Sequence, residues 1–190
     1  MYNVSSAYKL AMTNPIQRHT VRGSIDNVDF KAEDVLGGSL SVNNQICEAT
    51  AVKLGGVYIG ELKLTLDRDF ALNSFSRGSW TGKQIVVEFG LERADSSIEF
   101  VPGFGAYTID SATWTESGLD IVAYDNMRKL DKTLSLDQSS ASAYDWLAYA
   151  CEQCGIELGM TRLEVEALPN GTELFGLTDG NTQETFRDLV

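Results

Sequence analysis

Gly118-Leu119-Asp120-Ile121-Val122-Ala123-Tyr124-Asp125-Asn126-Met127-Arg128-Lys129-Leu130-Asp131 divides the sequence into two kinds of pattern. Leu119, Ile121 and Ala123 share one parity and Asp120, Val122 and Tyr124 the other, so the first half reads as a strand that buries at least one face. Asp125-Asn126 is turn chemistry. Met127 and Leu130, spaced i, i+3, suit a single helical turn that lays two apolar groups back on the core. Before this stretch almost everything has a period of two, and after it the first strong helical pattern appears. It is therefore the expected hinge between two structural regimes.

Moving outward toward the N-terminus, Gly118 is preceded by a series of short alternating runs. Val57 to Leu66 is the clearest, with Leu62, Leu64 and Leu66 alternating with Glu61, Lys63 and Thr65, a strand with one wet face. Lys83 to Phe89 and Phe104 to Asp110 alternate in the same way, with Pro102-Gly103 and Ser117-Gly118 as turns. Thr20 to Phe30 reads as a hairpin about Asp26-Asn27. Asp34 to Gly38 reads as a loop and Ser39 to Val42 as a short strand. Asn73 to Gly82, rich in Ser, Gly and Arg, is expected to be an exposed loop carrying Trp80. Ser5 or Ser6 caps a short helix that stops before Asn14-Pro15 and whose apolar residues should dock. Six or so strands with polar turns predict a closed or nearly closed antiparallel barrel or sandwich. Gly23, Gly55, Gly56, Gly60 and Gly105 are then expected at bends or bulges.

Toward the C-terminus, Ser142-Ala143-Tyr144-Asp145 is a capping box. Tyr144, Leu147, Cys151 and Cys154 repeat at helical spacing until Gly155 supplies the stop, with Ile156 behind it. Thr161 to Leu168 alternates like a strand, Asn170-Gly171 is a turn, and Leu174 to Leu177 suggests a further strand. A last helix begins at Asn181 and Glu184 and still shows its apolar stripe at Val190, which gives the expectation that the chain is cut from a longer protein. The fold class expected is mainly β with α (α+β). An antiparallel β-barrel domain with a short N-terminal helix occupies residues 1–133, and a smaller, incomplete α/β domain occupies residues 134–190.

Composition narrows the chemistry. The 190 residues carry 15 Lys plus Arg against 27 Asp plus Glu, a formal net charge of −12, which disfavours a sequence-independent grip on nucleic acid. Hydrophobic residues at 43% can bury a core, and neither a signal peptide nor a membrane-length apolar run is present, so a soluble protein is expected. Cys47, Cys151 and Cys154 are an odd, sparse set that reads as reduced thiols in a cytosol-made protein. Cys151-Glu152-Gln153-Cys154 is a C-x-x-C. It falls near a helix C-terminus, where no dipole favours thiolate, and zinc would have only Cys47 and His19 left as ligands. Buried structural thiols are the expectation. His19 has no Ser or Cys placed for a triad. Asp67, Asp69, Asp110, Glu116, Asp120 and Asp125 could contain a glycosidase pair, with a surface role as the default. Trp80, Trp114 and Phe75 could stack on sugars, with packing as the commoner use. No catalytic, cofactor-binding or metal-binding residue is therefore assigned.

Leu54-Gly55-Gly56-Val57-Tyr58-Ile59-Gly60-Glu61-Leu62-Lys63-Leu64-Thr65-Leu66, then Gly103-Phe104-Gly105-Ala106-Tyr107-Thr108-Ile109-Asp110, then Ala123 to Asp131, taken in that order, resemble the N-terminal part of tail hub proteins of tailed phages and prophages. The helix ending Cys154-Gly155-Ile156 and the start at Asn181 resemble that family's inserted α/β domain. The resemblance implies a non-enzymatic structural role at the tail tip or baseplate of a virion assembled in a bacterial cytoplasm. It implies a homotrimeric ring in the full-length assembly, joining the tail tube or distal tail to spike or fibre proteins through protein contacts, with no cofactor, no specific nucleic-acid binding and no membrane. A carbohydrate-binding module of the tail apparatus using Trp80 or Trp114 is the alternative, followed by a cell-wall hydrolase. The family's later segments, including a second barrel, are missing from this chain.

Overall fold

The computed structural model describes residues 4–43, 59–75, 80–101, 105–133, 140–176 and 186. These divide into two compact units, the first formed by the described residues of Met1–Asn43 and Glu61–Asp125, the second by those of Asn44–Gly60 and Asn126–Val190.

The first unit is a single antiparallel sheet. Its strands are β1 (His19–Ile25), β2 (Val28–Lys31), β3 (Ser41–Asn43), β4 (Glu61–Asp67), β5 (Gln84–Glu92), β6 (Ile98–Val101), β7 (Ala106–Trp114) and β8 (Gly118–Tyr124). Their order is β2-β1-β5-β7-β8-β4-β3, with β6 paired to β5. Because β1 pairs with β5 from Ile25–Ile85 to His19–Leu91, β6 and β7 must share the other edge of β5, one after the other. The hairpin expected at Asp26-Asn27 forms, both residues taking positive φ (48° and 70°), as the tight turn between twisted strands requires.

Magnitudes show that this sheet cannot be flat. Five strand spacings separate β2 from β4, roughly 24 Å in a flat sheet. Yet Lys31, the end of β2, is followed by one 3-10 turn (Ala32–Asp34), and Val35 then bridges Leu66 on β4. Four residues span at most about 14 Å, so the sheet curls until its two ends nearly meet. Among the described residues no ladder joins β2 to β3, so of the closed or nearly closed barrel or sandwich expected from the sequence the closed form is not present; the sheet is curled and open.

Curling gathers the inward parity of every long strand into one core. Ile25, Phe30, Leu62, Leu64, Leu66, Ile85, Val87, Tyr107, Ile109, Leu119, Ile121 and Ala123 are buried together. Each such aliphatic side chain contributes roughly 1.5–3 kcal/mol. Helix α2 (Arg68–Ser74) was not legible in the alternation. Asp67 caps it, its side chain accepting from the Asp69 and Phe70 N–H groups, and Ala71, Phe75 and Trp80 join the same core. The exposed loop expected at Asn73 to Gly82 is thus corrected at Phe75 and Trp80, which are buried because their rings pack on each other with centroids 4.6 Å apart, while Asn73, Thr81 and Gly82 are exposed. Residues 76–79 lie outside the described set, as do Gly55 and Gly56. Gly23 and Gly105 occupy no bulge; the bulge falls between Ile109 and Ser111, in β7 against β8. Helix α1 (Ser6–Ala11) is capped by Ser5 as expected, but it buries only Ala11 and leaves Leu10 and Met12 exposed.

After β8 the chain continues into the second unit with a 3-10 turn, Asn126–Asp131. Leu130 is buried as the i, i+3 spacing implied, while Met127 is 36% exposed. The core that Leu130 joins is not the one expected: it packs with Ala150 and Phe186 in the second unit's own cluster. Two short strands, β9 (Ser140–Ser142) and β10 (Leu174–Gly176), form an antiparallel pair. Helix α3 (Ala143–Cys154) starts at Ser142, whose hydroxyl accepts from the Asp145 N–H. It stops at Gly155, where φ is +64° and the Ile156 N–H reaches back to the Cys151 carbonyl. Thr161 to Leu168 is not a strand. Thr161 and Glu164 make a reciprocal capping box for α4 (Arg162–Glu166), which buries Val165 and leaves Leu163 79% exposed. The helix expected from Asn181 lies outside the described residues, apart from buried Phe186.

Candidate functional site

The residues singled out for chemistry do not converge. His19 is exposed, with Nε2 3.0 Å from the Gln17 Oε1. Asp67 is a helix cap, Asp69 lies in the first turn that it caps, and Asp120 on β8 accepts from the Thr65 hydroxyl at 2.7 Å. Asp110 stands at the bulge, Glu116 in the exposed turn between β7 and β8, and Asp125 just past β8. Among the described residues no three His, Cys, Asp or Glu side chains are grouped to hold a metal ion.

Cys151 and Cys154 are both half-buried on α3 and unbridged. Burial raises both thiols above their ordinary value, so neither is activated as a nucleophile. Cys47 lies outside the described residues. Trp80 is 8% exposed and belongs to the core, which removes it as a sugar platform; Trp114, at the end of β7, is 38% exposed.

Two of the lowered carboxylates tie elements together, while Asp95 and Glu164 are lowered by bonds within their own turn or helix cap. Glu99 on β6 accepts from both the Ser5 hydroxyl and the Ser5 N–H, and these bonds, helped by Arg93, hold it below the usual glutamate range. In the second unit the Ser142 hydroxyl and the Arg162 guanidinium lower Asp145, and Arg162 also lies over the Tyr144 ring, 4.5 Å from its centroid. These are fastenings between elements: the first anchors α1 to β6, the second α4 to α3.

One concavity among the described residues is a cleft of about 470 Å³ on the outer face of the first unit, lined by Arg22, Ser24, Asp29, Lys31, Val86 and Glu88 over Gly23 and Phe30. Strand register builds it. Arg22 pairs with Lys31 on one side and Glu88 on the other, and Ser24 pairs with Asp29 and Val86, so two parallel rows cross three strands. Gly23 permits the floor, because a Cβ there would stand 2.3 Å from the Val86 carbonyl oxygen and 2.4 Å from the Phe30 ring. The Arg22 Nε donates to Glu88 at 2.5 Å, and its guanidinium lies 3.9 Å from the centroid of the Phe100 ring. Apart from Lys31 and Phe100, these residues were readable as strand positions, but the cleft depends on which strands become neighbours.

No protein-family model matches the chain, and no curated protein matches it. Among the described residues no helix is long and apolar enough to cross a membrane.

Proposed function

We propose that this chain is a structural component of a phage or prophage tail tip or baseplate, acting through protein contacts. The observation that carries the reading is the order of the segments that resemble tail hubs. Their described parts fall on β4, β7 and β8 and run on past β8 into the turn Asn126–Asp131. A sheet curled until its ends nearly meet suits the wall of a barrel domain, and the smaller helical unit that follows suits an inserted domain. In this reading the first unit is a barrel-type module, the assembled protein is a trimeric ring between the tube and the spike or fibre, and the chain has no catalytic role. The dispersal of the acids into caps, turns and ion pairs is in keeping with that role.

Deleting the gene from an inducible lysogen tests the proposal. The expected result is particles with unfinished tail tips, restored by the gene in trans. Normal, infectious particles from the deletion strain would contradict it.

A further inference from the structure

We infer that the cleft over β1, β2 and β5 receives a carboxylate side chain from an extended segment of a partner protein. One row of the cleft, Lys31-Arg22-Glu88, holds two cations and one anion. The anion is already engaged by the Arg22 Nε. Among the described residues, the two terminal nitrogens of Arg22 and the ammonium of Lys31 have no acceptor; with Asp29 in the second row the four charges of the lining balance, so what this row offers is donors awaiting an acceptor and not a net charge. A carboxylate fits this pair, because guanidinium nitrogens present paired donors in the geometry of two carboxylate oxygens.

Arg22 is also prepared for the role. Phe100 supports one face of its guanidinium and Glu88 fixes its edge, so less rotamer freedom is lost on binding than for a lysine alone. The second row, Asp29-Ser24-Val86, supplies an acceptor, a hydroxyl and an apolar surface. Those groups suit the N–H groups and a small apolar side chain of an extended backbone. Asp29 and Glu88 argue against a nucleic-acid phosphate chain, which needs a run of cations with no acids among them. The volume of about 470 Å³ is that of a site for a few residues. Strand addition at the free edge of β2 is a poorer use of this face, since the edge has four residues and the Lys31 N–H is already taken by the Asp34 carboxylate at 2.8 Å. A partner of this kind is compatible with a tail-tip role and not required by it.

The test is an amide NMR titration of the full chain with the capped peptide Ac-Gly-Val-Glu-Val-Gly-NH2 and its Gln counterpart. The Glu peptide should shift the amides of Arg22 to Ser24, Asp29 to Lys31, Val86 and Glu88. The Gln peptide should bind at least about tenfold more weakly, the loss of one charge-assisted pair. Arg22→Gln should abolish the preference for Glu over Gln, and Lys31→Gln, at an exposed position, should reduce it without disturbing the fold. Shifts that map elsewhere, equal responses to the two peptides, no response at millimolar peptide, or an unchanged preference in a folded Lys31→Gln variant would each overturn the assignment. A blank titration beside defective deletion particles would sink the cleft and leave the tail-tip reading standing.

Discussion

Gly23 shows how far a single residue can constrain this sheet. It pairs with Phe30 and with Val87, and the ring of Phe30 occupies the space a side chain would need. Gly23→Ala should therefore destabilise the first unit by about 1–3 kcal/mol through overpacking. Urea unfolding would show this as a lower midpoint at constant slope, and an unchanged midpoint would mean the close approach to Val86 does not exist. Leu64→Ala, in the middle of β4, removes a side chain only 2% exposed and should cost about 2–5 kcal/mol by the same measurement. The thiols offer a different kind of check. With both cysteines raised by burial, iodoacetamide should modify Cys151 and Cys154 more slowly at neutral pH than it modifies a free cysteine peptide. Modification at the peptide's rate would contradict the half-buried placement.

At the scale of elements, capping explains both what was legible and what was missed. Ser142 and Gly155 bracket α3 with two of the strongest local signals a helix has, and both act as read. Thr161 and Glu164 carry an equally good signal, but Leu163, Val165 and Ala167 also alternate, and the alternation suggested a strand. The cap decides the matter, since only Val165 of that alternating set is buried. Thr161→Ala should therefore cost about 1 kcal/mol in the second unit; a gain in strand content instead would revive the other assignment. Strand β6 was missed because it has four residues and follows a tight turn in which Ser96, not glycine, takes positive φ (62°). The attachment of α1 to β6 carries a pH signature. Glu99 is lowered in the folded state by its bonds to Ser5, so its contribution is fully present above the ordinary glutamate pKa of about 4.3 and is lost as pH falls through the lowered folded value. Amide exchange in Ser6–Ala11 should accelerate over that acidic range in the native chain, while Glu99→Gln should show fast exchange at neutral pH too. Identical profiles would show that the tether carries no weight.

For the whole molecule, the period-two runs were enough to establish a mainly antiparallel β unit followed by a helical one. A curled sheet was among the expectations, as a closed or nearly closed barrel or sandwich; what the sequence did not show is where its ends approach, because the pairing of Val35 with Leu66 is long-range and no local pattern encodes it. The same holds for the cleft, whose lining comes from three strands that are neighbours only in the folded sheet. The stretch from Gly118 to Asp131 was legible as a hinge, but Leu130 looks forward to Ala150 and Phe186 and not back to the first core. The central claim, a structural place in a phage tail, is tested most directly by immunogold electron microscopy of purified particles with antibodies raised against this chain. The account predicts gold confined to the tip of the tail; particles without label, with the protein recovered only from the soluble fraction of the lysate, would contradict it.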